Sequence, residues 1–248
     1  SLSSVYVFLL SVVGLENVYK IQKNWVTNGI KWVIVILFCI TEKSVGYKGI
    51  SAFVVEKGTL GLSVGKKENK LGIRASDTCE LYFENCRIPD ENIIGEEGQG
   101  FKVAMKALGG GRIGIAAQAL GLARAALDAS ISYAKERKQF GKTIGEFDAI
   151  RNKLANMATE IDAARMLVWR AAKLKDDGKN YYRESSMAKL YASSTAMKAA
   201  TECVQIHGGY GYMQEYGVER LMRDAKITQI YEGTSEIQQL VIGRDLLK

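Results

Sequence analysis

Histidine and paired cysteines are scarce in this chain, and each scarcity argues against a class of site. One histidine among 248 residues argues against zinc sites and Ser-His nucleophiles, because both usually need imidazole. The four cysteines have no Cys-x-x-Cys spacing, which fits packing roles in a reducing compartment better than a disulfide scaffold. The sequence therefore predicts neither a metal centre nor a disulfide framework.

Long apolar runs and basic blocks are also missing. Val5–Val13 and Trp32–Ile40 are far shorter than the roughly 20 residues of a membrane-spanning helix, so no transmembrane segment is expected. The net charge of +7 is interleaved with acidic residues, and this pattern favours a solvated surface over nucleic-acid binding. A nucleic-acid or lipid-surface binder stays a third functional candidate, whose mark is strongly salt-dependent binding.

The fold prediction rests on a change of pattern near Pro89, the only proline. Before it, short β-prone runs alternate with glycine-containing turns. After Gly100, apolar residues recur at steps of three and four. We predict an α+β fold, with a partial antiparallel β domain over residues 1–92 and a C-terminal four-helix bundle over residues 93–248. The predicted strands are Ile50–Val55, Leu60–Val64 and Thr78–Phe83, and the predicted helices are Phe101–Arg137, Phe147 to about Gly178, Tyr181 to about Ile206, and Ser235–Leu247.

The most informative candidate for chemistry is the stretch Ile227–Gln238. It places the carboxylate of Glu232 on a loop just before a helix, whose start is marked by a capping box of Ser235 and Gln238. Exposed backbone N–H groups at a helix start suit an anion or a polar cofactor edge. The alternative interpretation is that Glu232 is a solvated loop residue and that Thr234 and Ser235 are only an N-cap.

Two further stretches combine small, aromatic and cationic residues at helix ends. His207–Tyr212 has glycines followed by aromatic residues, and its alternative interpretation is a helix C-cap with a tight turn. Lys135–Gly141 places Arg137 and Phe140 at a helix end, where a guanidinium fork can hold a phosphate group bidentately. Each stretch taken alone is a weak indication.

Taken together and in this order, these stretches resemble the acyl-CoA dehydrogenase family, and the short-chain, butyryl-type members look most similar. The resemblance covers about Lys48 to Lys248 and implies an oxidoreductase of fatty-acid β-oxidation with the fold of that family. The blocks that carry it are Lys70–Arg74, Phe83-Glu84 to Ile88-Pro89, Gly98–Phe101, Glu136–Lys142, Gln205–Gly211, Arg223–Ile227 and Ile230–Gln238.

The resemblance implies that Glu232 is the catalytic base. In the family this carboxylate removes the Cα proton of an acyl-CoA thioester while Cβ delivers hydride to N5 of FAD, and the product is a trans-2-enoyl-CoA. A free carboxylate with a pKa of about 4.3 is too weak a base for this proton. Burial beside the acyl chain is expected to raise that pKa, while hydrogen bonds to the thioester carbonyl stabilise the enolate. Gly111 supports the assignment, because isovaleryl-type relatives carry the base as a glutamate at that position.

Contacts with FAD and substrate carry over to several parts of the chain. In relatives, the residues matching Trp25 and Thr27 lie against the isoalloxazine ring. The other implied cofactor-binding residues are Arg137, Gln139, Phe140, Phe147, Gln205, Gly208, Gly209, Thr234, Ser235 and Glu236. The implied substrate-binding residues are Arg112, Tyr231 and Gly233. A neighbouring subunit completes each flavin site in the family, so the resemblance implies a homo-oligomer, typically a tetramer, with an electron-transfer flavoprotein as electron acceptor.

The front of the chain departs from the family pattern. Nothing corresponds to the N-terminal helical domain of relatives, and residues 1–45 match poorly, without the flavin-binding loop expected upstream of Trp25. Two alternatives therefore stand beside the dehydrogenase: a non-catalytic or truncated homologue with a structural role, and an acyl-CoA oxidase that passes electrons to oxygen. The implied compartment is the mitochondrial matrix in a eukaryote and the cytoplasm in a bacterium.

Overall fold

The computed structural model describes residues 34–248, which form two compact units. The first unit comprises residues up to 68 together with 77–106, and the second comprises residues 69–76 and 107–248. The boundary that we placed between residues 92 and 93 stays a prediction. Trp25 and Thr27, two of the predicted cofactor-binding residues, lie outside the described residues.

The first unit contains two antiparallel strand pairs. The strands are β1 (Ile34–Ile40), β2 (Ile50–Glu56), β3 (Leu62–Lys67) and β4 (Cys79–Phe83). β1 pairs with β2, and β3 pairs with β4. Val35, Leu37 and Val55 are buried at the centre of this unit. The three predicted strands are confirmed, whereas β1 was not predicted: the apolar run Trp32–Ile40 contains a strand.

Long helices dominate the rest of the chain. They are α1 (Gly100–Glu136), α2 (Asp148–Asp176), α3 (Tyr182–His207), α4 (Val218–Ile227) and α5 (Ser235–Leu246). The four predicted helices correspond to α1, α2, α3 and α5 and are confirmed. Helix α4 was not predicted, because its 10 residues give only a short apolar repeat. No helix within residues 34–248 is both long enough and apolar enough to cross a membrane.

Small side chains allow the helices of the second unit to approach closely. Helix α3 packs against α2, α4 and α5, and its buried face is largely alanine and serine. Alanines of α1 and larger apolar residues of α2, including Met157 and Ile161, join the same core. Because alanine and serine fill little volume, the backbones can come close, and burial depends on tight packing of many small contacts.

A short hairpin connects α1 to α2. Its strands are β5 (Lys138–Gln139) and β6 (Lys142–Thr143). Phe140 and Gly141 form the turn, both with positive φ. A Thr143–Glu146 capping box follows, in which Glu146 accepts from the Thr143 backbone N–H at 3.0 Å. The hairpin therefore fixes how the chain leaves Arg137 and enters α2.

Residues 69–76 bind to α4 within the second unit. The Ile73 N–H donates to Asp224 Oδ1 at 2.6 Å, and Arg223 Nη1 donates to the Leu71 carbonyl at 2.8 Å. Gly72 lies against the α4 backbone, since a Cβ atom built on it would be 2.5 Å from the Arg223 carbonyl oxygen. The glycine is required here by space, because the atom that it would meet belongs to a helix backbone.

We expect Gly72→Ala to reduce the free energy of unfolding by roughly 1–3 kcal/mol, the usual cost of forcing extra volume into a packed site. The matched control is Gly114→Ala in α1, where a Cβ atom meets nothing within 4 Å; it should raise the free energy of unfolding by roughly 0.5–1 kcal/mol through helix propensity. Urea unfolding of both variants measures the difference. Equal stabilities of the two variants would contradict the close approach of Gly72 to α4.

Candidate active site

The Glu232 carboxylate stands on a loop with an unusual backbone. This loop joins α4 to α5 and is closed by backbone hydrogen bonds from the Tyr231 N–H to the Ile227 carbonyl, at 3.1 Å, and from the Ser235 N–H to the Gln229 carbonyl, at 3.0 Å. Glu232 has φ 55° and Gly233 has φ 90°. A glutamate in the left-handed region is uncommon, and such strain persists only where the surroundings hold it.

The left-handed backbone places the Glu232 side chain against α1. A Cβ atom built on Gly111 would lie 2.5 Å from Glu232 Oε2, so the carboxylate occupies space that only a glycine leaves open. Oε2 is shielded from solvent and has no hydrogen-bond partner among residues 34–248. The interpretation of Glu232 as a solvated loop residue is therefore wrong.

Burial and charge act on Glu232 in opposite directions. Removal from water is the larger effect and raises the pKa of the carboxyl, while the positive charges of Arg112 and Lys189 oppose the rise. Arg112 is 8% exposed, and its Nη1 donates to Ser186 Oγ at 3.2 Å. Burial in turn lowers the pKa of Arg112. The site thus combines burial, which makes the Glu232 carboxyl hold its proton more tightly than a free carboxyl does, with nearby cations that favour the charged form.

Two fully buried side chains hold the backbone of the Glu232 loop. Lys189 Nζ donates to the Gly233 carbonyl at 2.7 Å. Gln238 Nε2 donates to the same carbonyl at 2.9 Å and to the Glu232 carbonyl at 3.1 Å. Tyr231 adds a hydrogen bond from its hydroxyl to Gln118 Oε1. Sequence reasoning missed Lys189 and Gln118; the available signal was a lysine within the alanine and serine face of α3.

The predicted capping box at the start of α5 is wrong. Thr234 is the N-cap residue, with extended backbone, and Ser235 is the first residue of the helix. Ser235 Oγ instead donates to the Gln229 carbonyl at 3.4 Å, and the Gln238 amide turns toward the Glu232 loop. The loop carbonyls of Glu232 and Gly233 point inward and recruit this amide, which leaves it unable to cap the helix.

Several of the predicted residues around Arg137 border a cavity of about 590 Å³. Its lining includes Tyr133, Arg137, Gln139, His207, Gly208, Gly209 and Tyr210; we call it the Arg137 pocket. The Arg137 guanidinium lies 5.2 Å from the centre of the Tyr210 ring. His207 stacks on Tyr133 with ring centres 4.1 Å apart. Helix α3 ends at His207, and Gly208 follows with φ 62°, so the C-cap interpretation also holds for this stretch.

The composition of the Arg137 pocket fits a phosphate-bearing aromatic ligand. A cation can bind phosphate oxygens, aromatic rings can stack on a base, and Gly208 and Gly209 leave open space where a Cβ atom would meet nothing within 4 Å. Phe140 is 91% exposed at the turn of the hairpin, with its ring centre 6.2 Å from that of Phe147. Gln205 is exposed on α3 and is not part of the lining of this pocket. The roles of these residues stay predictions.

Two family models match most of the chain. The one described as "Acyl-CoA dehydrogenase, C-terminal domain" matches residues 98–247, and "Acyl-CoA dehydrogenase, middle domain" matches residues 14–86. The chain belongs to the acyl-CoA dehydrogenase family, so the resemblance identified in the sequence is confirmed. Members of this family are FAD-dependent flavoprotein oxidoreductases of fatty-acid oxidation.

Individual relatives point to the short-chain members of the family. The mitochondrial short-chain specific acyl-CoA dehydrogenase of Sus scrofa is 53% identical over 227 residues, which are 91% of this chain and 55% of the relative. The solved butyryl-CoA dehydrogenase from Megasphaera elsdenii matches with a TM-score of 0.86 and 55% identity, over 87% of this chain and 56% of that one. The chain therefore spans little more than half the length of these relatives.

A third similarity concerns electron transfer. A solved chain described as "Electron transferring flavoprotein of Acidaminococcus fermentans: Towards a mechanism of flavin-based electron bifurcation" matches with a TM-score of 0.86 and 53% identity. The match covers 87% of this chain and 57% of that one.

The raised pKa of Glu232 predicts a pH-dependent stability difference. The folded state binds the Glu232 proton more tightly than the unfolded state, so this group's contribution to the free energy of unfolding is present below its ordinary pKa and is lost as pH rises through the folded-state value. Glu232→Gln should therefore be more stable than the parent at pH 7, by about 1 kcal/mol for a buried polar group without a partner. The gain should shrink toward pH 4, as urea unfolding at both values would measure. A gain that is the same at both values would contradict the raised pKa.

Proposed function

We propose that the protein catalyses the FAD-dependent α,β-dehydrogenation of a short-chain acyl-CoA to a trans-2-enoyl-CoA, with Glu232 as the base for the α-proton. The observation that carries this proposal is the Glu232 carboxylate itself. It combines a left-handed backbone, a raised pKa and a buried oxygen that has no hydrogen-bond partner in the part of the chain that the structure describes. Perturbed carboxylates of this kind cluster at catalytic sites.

The surroundings of Glu232 support proton abstraction. A carboxylate whose pKa has moved upward is a better match for the weakly acidic α-proton of a thioester. Gly111 leaves the space in which the carboxylate lies, so no side chain of α1 competes for that position. Arg112 keeps a positive charge close to the base and, with Tyr231 and Gly233, is our candidate for contact with the substrate.

The flavin site is expected to draw on two parts of the chain. Arg137, Gln139, Gly208 and Gly209 would hold the phosphate and adenosine portion at the Arg137 pocket, and Thr234, Ser235 and Glu236 would contact the cofactor near the base. When bound, FAD supplies the hydride acceptor that no side chain can provide. The chain's own task is then to orient the acyl group, to exclude water and to move the α-proton onto Glu232.

Partners and compartment follow the family. We propose a homotetramer and an electron-transfer flavoprotein as electron acceptor; the similarity to the Acidaminococcus fermentans chain supports the second of these. Relatives occur both in mammalian mitochondria and in bacteria. The expected compartment is accordingly the mitochondrial matrix for a eukaryotic source and the cytoplasm for a bacterial one.

Flavin bleaching tests the proposed reaction. The purified chain is loaded with FAD, and butyryl-CoA is added without oxygen while absorbance of the oxidised flavin is recorded. We expect bleaching by the parent, and a rate lower by roughly 10²- to 10⁴-fold in Glu232→Gln, which retains the shape of the side chain but cannot accept the proton. Equal rates in the two proteins would remove Glu232 from the mechanism.

The same assay separates the alternatives. Rapid reoxidation of the bleached flavin by oxygen, with hydrogen peroxide as product, would identify an acyl-CoA oxidase. Reoxidation only on addition of electron-transfer flavoprotein would identify a dehydrogenase. A protein that takes up FAD but is not bleached by any short-chain acyl-CoA would favour the non-catalytic homologue.

A methyl group at position 111 should impair catalysis without lowering stability. In Gly111→Ala the new Cβ atom would meet Glu232 Oε2 at 2.5 Å, and the flexible carboxylate end would move because it yields more easily than the helix. We expect the bleaching rate to fall by roughly 10- to 100-fold, since misplacement by about 1 Å can cost that much. Gly114→Ala, one turn away on α1, is the control and should keep the parent rate. A parent-like rate in Gly111→Ala would show that the position of the carboxylate near α1 is unimportant.

A further inference from the structure

Lys189 is a buried cation that the proposed chemistry does not use. It is 0% exposed and lies on the buried face of α3, among alanine and serine residues. Buried lysines are rare unless they are paired, because an ammonium ion loses its hydration on burial. Its Nζ donates to the Gly233 carbonyl at 2.7 Å. One carbonyl does not replace the hydration that the ammonium loses, so the other groups around Lys189 must favour its burial.

The contact of Lys189 falls on the residue next to Glu232. Gln238 of α5 donates to the same Gly233 carbonyl at 2.9 Å and to the Glu232 carbonyl at 3.1 Å. Two helices thus hold two consecutive carbonyl groups of one loop. Both loop residues have left-handed backbone, and their carbonyls accept from side chains that are fully buried. An unpaired acceptor in such a place would be costly. The two donors satisfy those carbonyls only while the left-handed turn is kept.

The direction of the Glu232 side chain depends on that turn. With φ at 55° the side chain lies against Gly111 of α1, whereas an ordinary extended or helical backbone at residue 232 would direct it elsewhere. We propose, resting on the role of Glu232 as the base, that Lys189 is a positioning residue, which together with Gln238 holds the carbonyls of Glu232 and Gly233 and so fixes where the carboxylate points.

The charge of Lys189 also affects the pKa of Glu232, which the neutral amide of Gln238 does not do. The charged groups that face it are Arg112 of α1, Glu232 of the loop and Glu236 of α5. Burial and the nearby Arg112 lower the pKa of Lys189 to about 8, so the ammonium is present at neutral pH and is lost in mildly alkaline solution. While it is present, it opposes the rise in the pKa of Glu232 that burial causes.

Three variants separate these contributions. Lys189→Met removes both the donor and the charge from a chain of similar length. Lys189→Gln retains a donor without the charge. Lys198→Met is the matched control, because Lys198 is on the same helix but is exposed and pairs with Glu160. Thermal unfolding and the visible spectrum of bound FAD are compared first, so that loss of fold or of cofactor is recognised.

The first readout needs no activity. In protein labelled with ¹³C at the glutamate side-chain carboxyl, the Glu232 signal is identified by its absence from Glu232→Gln and is titrated with pH. We expect the Glu232 midpoint to move upward in Lys189→Met and Lys189→Gln and to stay unchanged in Lys198→Met. In the parent, the same signal should show a second, smaller step near pH 8 as Lys189 loses its proton. If Lys189→Met does not fold, Lys189→Gln decides: a Glu232 midpoint that stays at the parent value in that variant would overturn the proposal.

The second readout is the rate of flavin bleaching by butyryl-CoA. Lys189→Met should lower the rate at saturating substrate by roughly tenfold or more, with the concentration dependence on butyryl-CoA unchanged, and its pH profile should move upward. Lys189→Gln should bleach faster than Lys189→Met but more slowly than the parent, and its pH profile should be displaced upward as in Lys189→Met. If the parent bleaches and Lys189→Met keeps both the parent rate and the parent pH profile, the positioning role is refuted and the proposed function stands. A parent that does not bleach, with a Glu232 midpoint that still moves in Lys189→Met, would refute the proposed function alone.

Discussion

Close packing around α3 is the constraint on which the rest of the second unit depends. The buried face of this helix consists mainly of alanine and serine, and several of these residues have no exposed surface. Such a face contributes little apolar area per residue, so its stability depends on backbones that approach closely and on few voids. The same closeness brings Ser186 and Lys189 of α3 within reach of α1 and of the loop before α5. The core and the candidate site are therefore products of one packing arrangement.

The site illustrates how a destabilising feature is kept in place. Three features of the site each oppose folding: a left-handed glutamate, a buried lysine, and a buried carboxylate oxygen without a partner among the residues from 34 onward. They meet at one place in the structure, the loop before α5, whereas the helices around them follow ordinary rules of packing and propensity. Local conflict of this kind within an otherwise consistent structure is typical of sites shaped by function.

Sequence patterns predicted the regular parts well. Helices α1, α2 and α3 are long and were recognised by their helical pattern, whereas α5 was placed by its proposed start at Ser235. Three of the four strands before Pro89 were recognised by β-prone residues between turns. Helix α4 was missed because 10 residues allow fewer than three turns of repeat. The candidate base was recognised through the family motif around Glu232, and the spacing of that motif contains no information on burial or backbone angles.

The supporting residues could not be predicted in the same way. Lys189 and Glu232 are 43 positions apart in the sequence, and their proximity exists only once α3 and α5 have packed. The capping box failed for a related reason: Ser235 and Gln238 have the right local spacing, but the inward carbonyls of the loop compete for the Gln238 amide. Local rules describe what a residue can do, and the tertiary neighbours decide which of its options is used.

The attachment of residues 69–76 to α4 has a consequence for dividing the chain. These eight residues are separated from the rest of the second unit by a segment that belongs to the first, so neither unit is one continuous stretch of sequence. A fragment that starts after Pro89 would contain all of the long helices and would still lose the donors and acceptors that Asp224 and Arg223 use in Ile73 and Leu71. The helical unit is therefore complete only when a piece of chain that precedes it in sequence is present.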